Sequence, residues 1–170
     1  MVVCGESGRP HDVLEYLLIR IGSWSEPVSP RVEAFYRRER GRVPTLLSSP
    51  EDVDALIDEL LAGPVHENMA ALYSLDRPAM PSGQADHQLL VGVDRELRVG
   101  LVGFMDAGGN VITAGSPGGR LEAVYYCTGE ITEFPGPSEI PVGLVRRAAR
   151  EFLASGGQRP TCVRWQVPAY

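Results

Sequence analysis

The 170-residue chain, 44% hydrophobic, 22% charged and of formal net charge −6, is long enough for one domain with a real core. It has no apolar run near the roughly 20 residues of a membrane span, and its three cysteines, Cys4, Cys127 and Cys162, are too few and too far apart for a disulfide framework or a zinc motif. All sixteen basic residues are arginine, which excludes a phosphate loop of the lysine-bearing kind.

The first ten residues place no basic segment ahead of an apolar stretch, so no secretion signal is expected and the chain is assigned to the cytoplasm. Residues 1–30 read as an N-terminal extension. Val13, Leu14, Leu17, Leu18 and Ile21 keep a helical spacing up to Gly22, and Pro27 and Pro30 mark a linker after it. Residues 31–170 are expected to form one α+β domain, an antiparallel sheet of five to six strands packed with two to three helices.

The clearest helix runs from Pro50 to Ala62. Ser49 suits the N-cap, Pro50 the first turn, and Glu51 and Asp52 the positive end of the helix dipole. Val53, Leu56, Ile57, Leu60 and Leu61 form one apolar face, and Gly63-Pro64 ends it. Strand signals follow at Met69–Leu75, His87–Val93 and Leu97–Met105, the last two joined through Asp94-Arg95-Glu96 as a hairpin. Asn110–Thr113, Leu121–Cys127 and Glu130–Phe134 continue what reads as a meander. A second helix is expected from Pro141 to Ala154, closed by Gly156-Gly157, then a strand at Thr161–Val167. Trp165 of that strand should pack on Phe152 or Leu153.

Charge is unevenly spread. Residues 51–143 hold fifteen acids and four arginines, a net of −11. Such a surface repels phosphate backbones, so nucleic acid is not an expected partner, and it favours encounter with a basic protein. The motifs of catalysis are absent. His11, His66 and His87 are scattered without metal-ligand spacing, and no Gly-x-Ser-x-Gly elbow occurs. His87, beside Asp86 at the start of a strand, reads as an exposed histidine or a surface switch. Glu130 and Glu133 are the one carboxylate pair with enzymatic potential, which would require a cleft between them.

Tyr125-Tyr126, Glu133-Phe134-Pro135, Ile140-Pro141-Val142, Val145-Arg146-Arg147-Ala148, Glu151-Phe152-Leu153, Gly156-Gly157 and Arg159-Pro160-Thr161-Cys162-Val163-Arg164-Trp165-Gln166 together resemble the immunity proteins of bacterial polymorphic toxin systems. More narrowly they resemble family one, encoded beside deaminase toxins. Upstream, Ser49–Ile57, Ala71-Leu72-Tyr73 and Met105-Asp106 with Gly108-Gly109-Asn110 fit in order and spacing. The resemblance covers residues 31–167 and brings no catalytic residues with it. It implies a protein that binds a toxin domain and covers its active site, with no cofactor and no chemistry of its own.

The acidic, tyrosine-bearing loops point to a toxin-binding surface at Asp106, Asn110, Tyr126, Glu130 and Glu133. Tyr125 and Tyr126, being adjacent in a strand, must face opposite sides, so at most one is exposed while the other packs. A small hydrolase using Glu130 and Glu133, or an adaptor module with another partner, stays open as an alternative.

Overall fold

The computed structural model describes residues 30–39, 43–116 and 120–168, so the helix expected at Val13–Ile21 lies outside the described residues. Ten strands form one sheet: β1 Val32–Phe35, β2 Thr45–Leu47, β3 Met69–Ser74, β4 Gln88–Asp94, β5 Val99–Asp106, β6 Gly109–Thr113, β7 Glu122–Cys127, β8 Glu130–Pro135, β9 Ile140–Pro141 and β10 Trp165–Gln166. Two α-helices accompany them among the described residues, α1 Pro50–Ala62 and α2 Val142–Ala154. The main path runs β10-β6-β5-β4-β3-β1-β2, antiparallel throughout. The fold is α+β as expected, but with ten strands in place of five to six. β3 to β8 fall where strands are expected, and β10 is a two-residue remnant of the strand expected at Thr161–Val167; β1, β2 and β9 have four residues or fewer, too few to show a period of two.

Local chemistry explains the helix ends. Ser49 Oγ accepts from the Asp52 amide at 3.2 Å, while the Asp52 carboxylate accepts from the amides of Ser48 (2.8 Å) and Ser49 (3.0 Å). This capping box satisfies donors that the first turn leaves free. The hydrogen bond from Ser48 also lowers the Asp52 pKa. At the end of α2, Gly156 and Gly157 take φ of 67° and 90°, and Gly157 donates back to the Phe152 carbonyl at 2.9 Å.

Both helices cover one face of the sheet. Val32, Ala34, Leu72, Leu89, Val91, Val102 and Phe104 alternate inward on that face. They meet Val53, Leu56, Ile57 and Leu60 of α1 and Val145, Ala149 and Phe152 of α2 in one buried cluster. Arg146 and Arg150 tie the helices together across Asp54 and Asp58.

Two strand expectations need correction. The meander stops at β6: β7 joins β3 in parallel, through Met69↔Cys127, and then pairs with β8. At the C terminus only Trp165 and Gln166 pair, with Thr113 and Ile112, and Val167 is 76% exposed. The reason is competition for donors. Glu151 takes the amides of Thr161 (2.7 Å) and Cys162 (3.1 Å) and the Thr161 hydroxyl, so these residues cannot enter a ladder. The Cys162 thiol and the Thr161 hydroxyl, followed by the two amides, hold the Glu151 pKa at about 2. Trp165 is half-buried against the helix-side core cluster that contains Phe104, Phe152 and Leu153, its ring meeting Phe104 at 6.4 Å, and its indole donates to the Pro160 carbonyl at 2.8 Å.

Candidate protein-binding face

The face of the sheet away from the helices is built in parallel rows, because paired strands in register carry their side chains side by side. The innermost row is Met69, Gly92 and Leu101. The β7–β8 hairpin roofs it. Tyr125, fully buried, lies flat over Gly92, where a Cβ would come within 2.7 Å of the ring. Glycine at 92 is the condition for that close approach. Phe134 meets Tyr125 at 6.2 Å, and the Tyr125 hydroxyl donates to Glu139 at 2.5 Å. Arg120 stands over the Tyr125 ring at 5.9 Å, clamped by Glu139 (2.5 Å) and Asp94 (3.2 Å).

The middle row is Phe35, Ala71, Leu90, Gly103 and Ile112. The outermost is Leu46, Glu33, Tyr73, Gln88, Met105 and Asn110, in which Gln88 donates to the Tyr73 hydroxyl. From Leu101 to Met105 the rows step out by roughly 14 Å, and the hairpin does not follow. Leu46 is 52% exposed and Met105 42%. Phe35 and Tyr73 are half-buried and meet edge to face at 5.8 Å.

Residues 75–87 rise beside this open row as a flap. Met80 and Gln84 close its tip, where Gly83 takes φ 81° and Met80 is 41% exposed. Between flap and sheet lies a concavity of about 1000 Å³, lined by Glu33, Phe35, Tyr73, Met80, Met105 and Asp106 among others. The root of the flap is a part-buried polar chain. Arg77 grips Asp86 with two hydrogen bonds, of 3.0 and 2.6 Å, and donates a third to the Gly157 carbonyl. Asp86 meets His87 Nδ1 at 2.8 Å, and His87 Nε2 accepts from the Ser74 amide at 2.8 Å. Since an amide only donates, the proton of the neutral ring sits on Nδ1. Burial lowers the His87 pKa despite Asp86, whereas the Arg77 bond holds Asp86 at about 2. His87 is therefore buried and structural, not an exposed histidine or a surface switch. With its accepting nitrogen capped by an amide it has no free lone pair to act as a base.

The family model described as Immunity protein Imm1 matches residues 41–167. The chain belongs to the Imm1 immunity protein family. No curated protein matches it. The Imm1 match spans β2 to β10, so β1, with Glu33 and Phe35, precedes the matched segment while sitting inside the sheet.

Within this Imm1 fold the five residues singled out from sequence fall into two groups. Asp106 and Asn110 belong to the β5–β6 turn, Asp106 at the rim of the concavity with its carboxylate on the Gly108 amide, Asn110 at the end of the open row. Tyr126, Glu130 and Glu133 belong to the β7–β8 hairpin. Tyr126 is half-buried beside Asn68, whose side chain accepts from its amide, and lines a separate pocket of about 300 Å³ near Val65 and Val93. Glu130 and Glu133 are exposed and, three positions apart on one strand, face opposite sides. They enclose no cleft, which removes the geometry a carboxylate-pair hydrolase needs. Tyr125 packs and Tyr126 is the more accessible of the two, as strand alternation requires.

Cys127 and Cys162 are half-buried, and burial raises both thiols, Cys162 to about 11 with Glu151 adding to the effect. They stay protonated and unreactive. Among the described residues no helix is long and apolar enough to cross a membrane. Sequence reasoning missed Glu33, Phe35, Tyr73, Met80 and Met105. Their only signal was an apolar or aromatic residue at alternate positions on what became the uncovered side.

Proposed function

We propose that this chain is the immunity partner of a deaminase-type, nucleic-acid-targeting toxin, and that it works in the cytoplasm by covering the toxin's active site. The observation that carries the reading is membership of the Imm1 family. The charge of residues 51–143 supports it, because a toxin that binds nucleic acid presents a basic groove. Zinc deaminases act through a metal-bound water and a glutamate on a base held out of the stack, and that machinery belongs to the toxin. This chain needs no cofactor for such a role. Inhibition is one-to-one occlusion.

The proposed contact surface takes in Asp106, Asn110, Tyr126, Glu130 and Glu133, the first two beside the concavity and the other three on the hairpin. Its rim charges act on encounter. The test is co-expression with the toxin encoded beside this chain, followed by copurification and a deamination assay on nucleic acid. A stable complex with the deamination lost is the expected result. A chain that neither binds nor protects, or one that binds a toxin of another chemistry, would overturn the reading.

A further inference from the structure

The two halves of the hairpin-side face carry similar chemistry, with one component missing from the open half. In the roofed half a tyrosine ring, Tyr125, is covered by the guanidinium of Arg120, itself clamped by the carboxylates of Glu139 and Asp94. In the open half a tyrosine, Tyr73, stands directly across the strand pair from a carboxylate, Glu33, with Phe35 beside it. No arginine among the described residues pairs with Glu33. The one arginine lining the concavity, Arg77, is fully engaged by Asp86 and Gly157. Asp106 adds a further carboxylate at the rim.

We infer that the concavity between the flap and the open row receives an arginine-bearing segment of the toxin, whose guanidinium lies on Tyr73 and pairs with Glu33 while apolar flanking side chains pack on Met80 and Met105. This rests on the immunity reading above and names the part of the chain that holds the partner. Four features support it. A planar cation on an aromatic face gains most where water is excluded, and the concavity supplies walls for that. Arginine fits better than lysine because its fork meets a carboxylate while its plane stacks. Methionines on both walls adapt to an irregular apolar segment. The volume of about 1000 Å³ holds several side chains, more than a single ion requires.

The experiment uses the full chain with its methionine methyl groups labelled with carbon-13, titrated with the toxin domain encoded beside it. Met80 and Met105 are open and Met69 is roofed by the hairpin, so the chain carries its own control. The signals of Met80 and Met105 should shift while that of Met69 stays. In binding assays Met105→Asp should weaken affinity roughly 30-fold, the size of a central contact. Glu33→Gln should weaken it roughly tenfold, and Glu33→Arg should be rescued by changing one toxin arginine to glutamate. Glu33→Gln changes neither size nor shape, so its circular dichroism should match the wild type. Binding of wild-type chain with unmoved Met80 and Met105 signals, or full affinity in both Met105→Asp and Glu33→Gln, would overturn the inference and leave the immunity reading intact. No binding by the wild type would overturn that reading, and the inference with it.

Discussion

Two regions of one sheet face differ in what covers them. Near Gly92 the face is closed by Tyr125 and Phe134, and the charges above it are paired. Four residues further along β5, near Met105, the same face presents Tyr73, Phe35 and Met105 without a roof. An exposed apolar patch on a folded chain marks a contact surface more often than chance exposure does. The difference teaches that the β7–β8 hairpin is a roof for half a sheet. What lies beyond it is the uncovered surface on which the proposed partner would dock.

The sharpest way to break this comparison is to remove one tyrosine from each half. Tyr125→Ala deletes a fully buried ring and strands Glu139 and Arg120 beneath the hairpin. It should cost about 4 kcal/mol of unfolding free energy, in the range for large aromatic truncations. Tyr73→Ala removes a half-buried ring with one edge contact and one hydrogen bond from Gln88 and should cost only about 1 kcal/mol. Urea unfolding of both variants measures the contrast. Equal losses would mean that the open half is core like the other.

How far the sequence carries this picture depends on element length. Helix α1 is readable from Ser49 to Gly63 because caps and periodicity agree there. The six longer strands are readable from β-forming runs bounded by turn residues. The parallel step from β7 to β3 was not, since it rests on one residue pair, Met69↔Cys127, far apart in the chain. The candidate site was half legible. Asp106 and Asn110 announced themselves by their turn, but Glu33 and Tyr73 become neighbours only through β1, a four-residue strand whose period is too short to see. His87 was misread because burial depends on α2, whose Phe152 ring packs on it at 5.8 Å.

A smaller effect separates the flap's root from the roofed half by pH. His87 is held neutral, and its folded pKa lies below the unfolded value of about 6.5. Below about 6.5 the unfolded chain therefore binds a proton that the folded chain refuses, so stability falls as pH drops and is fully present above that value. Protonation would also set Nε2–H against the Ser74 amide and loosen the strand from which the flap rises. The depressed carboxylates Asp86, Glu151 and Asp52 act in a lower window, their contribution fading only as pH falls below about 4. Melting temperatures followed from pH 7 to 5 should decline in the wild type and stay flatter in His87→Gln. An identical decline in both would remove His87 as the cause.

The smallest effect belongs to the hairpin's outer charges. Glu130 and Glu133 are exposed, make no hydrogen bond or ion pair within the described residues, and sit on opposite sides of β8. Reversing both to arginine should change stability by no more than about 0.5 kcal/mol, as for surface sites without partners. Against the toxin the same double reversal should slow association several-fold at low salt, since rim charges steer encounter and contribute little once the complex is formed. Raising the ionic strength past about 0.15 M should shrink the difference, because the Debye length falls to about 8 Å there. Stopped-flow association at two salt concentrations separates the two halves of the proposed surface. A slower association that disappears with salt places the hairpin at the rim, with the anchor in the open row. A faster dissociation that salt leaves unchanged would move the anchor onto the hairpin and reverse the roles of the two regions.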